Sequence, residues 1–128
     1  MSIQTILAVG FGGFFGANLR LILNGVANQN FHLLSIPVGT LSVNLLGSLL
    51  IGFFFAIFHN FEISPEIKTF LSTGFLGALT TFSTFAYENL LLLQGGNFFG
   101  AFLNMSLNLF GTILFAFVGL KFGNLIFN

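Results

Sequence analysis

The chain has 128 residues, of which 55% are hydrophobic and only 5% are charged, and its formal net charge is zero. A water-soluble domain carries about 25% charged residues, so the composition excludes an ordinary soluble fold and points to an integral membrane protein. It also leaves no basic face for a nucleic acid, and with no cysteine there are no disulfides and no thiolate chemistry.

Four apolar segments predict an all-α integral membrane fold, a single membrane domain over residues 1–128. Each has about 20 residues or more, enough to cross a bilayer as a helix. The first runs from Ile3 to Leu23. No Lys or Arg precedes it and no small-residue cleavage site follows it, so it reads as a retained span rather than a signal peptide. Gly12, Gly16, Arg20 and Asn24 recur on one helical face, and small residues at that spacing let helices approach closely. Arg20 stands about one turn from the span end. It either snorkels to the interface or draws an anion into a vestibule. The stretch Asn24–Asn30 reads as a polar, turn-rich linker.

The second span runs from near Ile36 to Phe58. Thr40, Asn44 and Ser48 share a face. A carboxamide at that depth is costly unless satisfied. Asn44 is therefore either glue between helices or a ligand contact offering two amide hydrogens. After the loop Asn60–Glu66, the run Ser64-Pro65-Glu66 marks a helix start, with an N-cap hydroxyl, a proline at the first helical position and an acid at the positive end.

The third span, from near Glu66 to Leu93, contains Gly74-Phe75-Leu76-Gly77-Ala78-Leu79-Thr80-Thr81-Phe82-Ser83-Thr84-Phe85. Glycines and hydroxyls among aromatic rings predict a break in this third helix. Irregular backbone at membrane depth must be buried in protein or line a water-filled path. A break frees backbone carbonyls. One chain offers about two between Gly77 and Thr80, and two copies meeting on a two-fold axis would offer a set suited to a small hard cation. Phe82 and Phe85 flank Ser83 and Thr84. The positive edges of aromatic rings can touch an anion without trapping it, as conduction requires. Glu88, two turns beyond Thr81, is the only deeply placed acid; it is a functional candidate or a partner for Arg20.

Gln94-Gly95-Gly96-Asn97 is a tight turn into the fourth span, Phe98 to Leu120 or beyond, where Asn104, Asn108 and Thr112 form another polar stripe. Three such stripes and the break suggest a polar track lined mostly by hydrogen-bond donors. Orientation is weakly specified: Arg20 lies toward one side, Lys68 and Lys121 toward the other. The positive-inside rule needs a clear Lys/Arg excess, so insertion in both orientations, with opposite copies pairing, is expected.

These motifs, with Gly12-Gly13-Phe14-Phe15-Gly16-Ala17-Asn18-Leu19-Arg20 in the first span and Gly39-Thr40-Leu41-Ser42-Val43-Asn44-Leu45-Leu46-Gly47 in the second, resemble the small fluoride channels of the Fluc or CrcB family over essentially the whole chain. The resemblance implies a dual-topology antiparallel homodimer in the cell (inner) membrane, passing toxic cytoplasmic fluoride out passively through two pores at the dimer interface. It also implies a central sodium ion, structural and not transported, on the carbonyls of Gly77 and Thr80. In the same way it assigns Asn44, Phe82, Ser83, Thr84, Phe85 and Glu88 to the fluoride path and Arg20 to the vestibule. The fourth span matches loosely: where the family has hydroxyls and a tyrosine, this chain has Asn104, Asn108 and Thr112, of which Asn108 and Thr112 are assigned to the path. Two other readings compete. A small multidrug-type proton-coupled exporter shares the topology, but it needs an acid in the first span, where this chain carries Arg20. A non-transporting assembly subunit would give no ion flux alone. An enzyme is disfavoured, since no metal cluster or nucleophile–base set appears and His32 and His59 sit in or beside loops.

Overall fold

The computed structural model describes residues 1–128, and all of its extended regular structure is helical. Helix α1 (Ile3–Asn30) opens on Ser2, whose hydroxyl accepts from the Thr5 N–H at 3.2 Å. Its 28 residues span roughly 42 Å, well beyond the hydrocarbon core of about 30 Å. The stretch Asn24–Asn30, expected as a turn-rich linker, is therefore the last two turns of α1. The asparagines satisfy themselves along the helix: Asn28 Nδ2 donates to Asn24 Oδ1 at 2.7 Å and Asn30 Nδ2 to the Val26 carbonyl at 2.8 Å. Asn28 Oδ1 also accepts from the Gly39 N–H at 2.8 Å, bracing the end of α1 against the start of the next helix.

That helix, α2 (Val38–Asn60), begins just after Pro37. The third segment is assembled from pieces. Helix α3 (Pro65–Thr69) is capped by Ser64, with Pro65 in its first turn. A π-helical stretch, Phe70–Leu76, and a single turn, α4 (Gly77–Leu79), follow it. Thr80 and Thr81 are extended, and α5 (Phe82–Gln94) resumes the helix. After a turn in which Gly96 adopts φ 77°, α6 runs from Phe98 to Phe127, capped by Asn97, whose Oδ1 accepts from the Gly100 N–H at 2.9 Å. Helices α1, α2 and α6 are each long and apolar enough to cross a membrane. The third segment reaches that length only as the sum of its parts. The chain is a multi-pass membrane protein.

Two pairings organise the bundle: α1 lies along the π-helical stretch and α4, and α2 lies along α6. Both depend on glycine. A Cβ at Gly16 would collide with the Phe75 carbonyl oxygen, and Cβ atoms at Gly52 and Gly119 would collide with the carbonyls of Ala116 and Leu49. In lipid, where apolar surface gains nothing by leaving the solvent, such close backbone approach is a principal source of helix association. A small core of Val43, Leu76 and Leu79 forms where α2 meets the third segment, directly before Thr80. Only 24 residues are buried, so the phenylalanine-rich exterior is left for lipid or for another protein surface.

Candidate functional site

The centre of the site is the backbone of Thr80 and Thr81. Thr80 has φ −84° and ψ 160°, Thr81 φ −151° and ψ 122°. The helical hydrogen-bond pattern ends between them. Thr80 N–H still reaches the Leu76 carbonyl at 3.0 Å, but Thr81 N–H goes across to Asn44 Oδ1 at 2.8 Å. Gly77 thereby loses its usual i+4 donor. Thr80 loses its own in the same way, because Thr84 N–H turns to Thr81 Oγ1 at 3.2 Å to cap α5. The two carbonyls assigned to a cation from the sequence are thus both released from helical bonding. The Thr80 carbonyl accepts instead from Arg20 Nη1 at 3.3 Å. Neutral oxygen donors of this kind fit a small hard cation.

Asn44 is the anchor on the neighbouring helix. Besides accepting from Thr81, its Nδ2 donates to the Thr81 carbonyl at 3.1 Å and to Asn108 Oδ1 at 2.9 Å. Asn108 Nδ2 passes the chain on to Asn104, at 3.1 Å to its Oδ1 and 3.0 Å to its carbonyl. Thr112 returns its hydroxyl to the Asn108 carbonyl at 2.6 Å. In an apolar bundle each of these groups would be costly unpaired, and each is paired.

Beside this network lies a cavity of 860 Å³ whose walls include Asn44, Thr80, Thr81, Phe82, Phe85, Asn108 and Thr112, with no charged side chain among its lining residues. The Phe82 and Phe85 rings stand 5.2 Å apart and tilted by 48°. Phe82 is 80% exposed in the single chain, more than any other phenylalanine.

Other sequence candidates fall elsewhere. Ser83 and Thr84 lie near Thr81 Oγ1, at 3.4 and 3.0 Å, but not on the cavity wall. Glu88 projects toward α2, where Thr40 Oγ1 donates to its Oε1 at 2.7 Å while Oε2 is buried without a partner. The expected alternative of a Glu88–Arg20 pair is not formed: Arg20 goes to the Thr80 carbonyl, and beside Asn18 and Asn24 it lines a separate groove of 590 Å³. The sequence reading missed Asn89. It is buried on the cavity wall, accepts from Asn104 Nδ2 at 3.3 Å and donates to the Phe85 carbonyl at 2.8 Å. The available signal was a carboxamide directly after Glu88, four residues beyond Phe85 and ahead of four leucines.

Known proteins align with this chain along nearly all of its length. A family model described as CrcB-like protein, Camphor Resistance (CrcB), matches residues 7–120. A protein of Campylobacter fetus is 53% identical over 119 residues, covering 93% of each chain. One of Campylobacter jejuni is 52% identical over 117 residues, covering 91% of this chain and 95% of the relative. One of Sulfurimonas denitrificans is 53% identical over 118 residues, covering 91% and 90%. Each of the three is named a fluoride-specific ion channel, FluC.

Proposed function

We propose, from the premise that this chain belongs to the CrcB-like family, that it is a fluoride channel of the cell (inner) membrane, which lets fluoride leave the cytoplasm passively. The observation that carries the reading is the uncharged cavity with two phenylalanine rings on one wall and carboxamides and hydroxyls on the other. Fluoride is small and strongly hydrated, so a path must replace water with donors. Ring edges do this without a fixed positive charge that would hold the ion, and the amides of Asn44 and Asn108, paired within the chain in the absence of the ion, would exchange partners to join them. Arg20 lines its own groove while its Nη1 is tethered to the Thr80 carbonyl at 3.3 Å, and from there it concentrates anions at the mouth.

The working unit in this reading is an antiparallel homodimer with two pores at its interface. Its support is the weak Lys/Arg bias. The carbonyls of Gly77 and Thr80 would hold a structural sodium ion, two oxygens from each copy, since both have given up their helical donors. When bound, that ion ties the two copies together. Asn44, Phe82, Phe85, Asn108 and Thr112 then line each fluoride path, with Ser83, Thr84 and Glu88 extending it on the adjoining faces of α5.

The test is ion efflux from liposomes containing only this protein in sodium buffer. Rapid loss of fluoride with chloride retained is the expected result. No fluoride efflux refutes the reading and favours a non-transporting subunit.

A further inference from the structure

We propose that Asn89 and Asn104 are positioning residues that set the rotation of α5 about its own axis and so aim Phe82 and Phe85 into the cavity. The starting point is how little else holds α5: besides its capped start, the Thr40–Glu88 bond reaches it from α2. Asn89 is its only buried residue, and the helix presents Leu90, Leu91 and Leu93 outward. Such a leucine face gives little packing preference for one rotation over another. A buried polar contact supplies that preference, because a small roll leaves its members unpaired.

The contact here is a head-to-tail relay. Thr81 N–H donates to Asn44, Asn44 to Asn108, Asn108 to Asn104, Asn104 to Asn89, and Asn89 to the Phe85 carbonyl. It begins on a backbone group that can only donate and ends on one that accepts, so the direction of every amide between them is set. Both ends lie on the same stretch of chain, one helical turn apart, with Phe82 between them and Phe85 at the far end. The bond from Asn89 to the Phe85 carbonyl stays within α5, so the tertiary pin is Asn104 on Asn89. Pinned at Thr81 and at Glu88, α5 gains a third fixed point there, on the face that lines the cavity. The proposal rests on the fluoride reading only for its flux measurement.

The test replaces Asn89 and Asn104 together by leucine. The double variant removes both partners of the 3.3 Å bond, which leaves little unpaired, and Asn108 keeps the Asn104 carbonyl. Thermal stability near that of the parent is expected, with fluoride efflux from liposomes reduced by roughly tenfold or more, as misaimed contact groups produce. Added to the double change Phe82→Ile and Phe85→Ile, the same pair of changes should reduce efflux no further, because its effect passes through the two rings. A fluorinated phenylalanine at position 85 should give one fluorine resonance in the parent and a shifted or broadened one in the double variant, with a label at Phe55 unmoved. Parent-like efflux in the double variant overturns the proposal. So does an equal further loss on the background lacking both rings, an unmoved resonance at position 85, or a double variant that does not fold. If the parent passes no fluoride, the channel reading fails, and the fluorine resonances still decide the relay.

Discussion

Replacing Asn44 by leucine removes three hydrogen bonds from the centre of the bundle while keeping the size of the side chain. The Thr81 N–H loses its acceptor at 2.8 Å, and the Thr81 carbonyl and Asn108 Oδ1 lose donors at 3.1 and 2.9 Å. Thr81 and Asn108 are only 7% and 5% exposed, so the orphaned groups reach little of the cavity beside them. The backbone N–H carries the largest share, about 1–3 kcal/mol for a buried donor left unpaired. Each of the two lost donations costs about 0.6 kcal/mol, the average for side-chain bonds within membranes. The expected destabilisation is therefore about 2–4 kcal/mol, measured by titrating the detergent-solubilised protein with dodecyl sulfate. Freed from Asn44, Thr80 and Thr81 no longer hold one extended geometry, and each ~1.4 kcal/mol added to the transit barrier slows fluoride efflux about tenfold. Asn18→Leu is the control. Its single bond, to the Phe14 carbonyl at 2.7 Å, lies on the outer face of α1, and its loss should fall within about 0.5 kcal/mol of the parent. If Asn44→Leu is as stable as Asn18→Leu and conducts normally, the account of this site is wrong.

Either Phe82→Ile or Phe85→Ile should cut fluoride efflux while leaving the gel-filtration profile unchanged; normal conduction by both would remove the ring-edge argument. Gly16→Ala should destabilise the protein by about 1–3 kcal/mol, because its methyl meets the backbone carbonyl of Phe75, which no rotamer change can move aside. An unchanged unfolding midpoint would show that α1 and the third segment can separate freely. Topology reporters fused to the C-terminus should appear on both sides of the membrane, and a signal from one side only rules out dual insertion. Exchange of sodium for a bulky organic cation should lower dimer stability, read by subunit exchange between differently labelled copies. Equal exchange rates in both buffers would argue against an ion on the Gly77 and Thr80 carbonyls.

The class was legible in the chain itself. Six charges among 128 residues leave a membrane protein as the ready reading, and glycines and hydroxyls clustered between Gly74 and Phe85 mark where a plain helix is unsuited. Local composition misled at Asn24–Asn30, because polarity suggests a turn while the asparagines there are satisfied along the helix itself. What only the tertiary structure decided is which polar groups meet. The bonds Asn44–Thr81, Asn44–Asn108 and Thr40–Glu88 join residues 37, 64 and 48 positions apart, distances over which helical periodicity says which face a residue occupies but not which helix lies opposite. The close backbone contacts at Gly16, Gly52 and Gly119 make that choice. By bringing α2 against α6, they turn separate polar stripes into one relay, and they leave Glu88 facing Thr40 rather than Arg20.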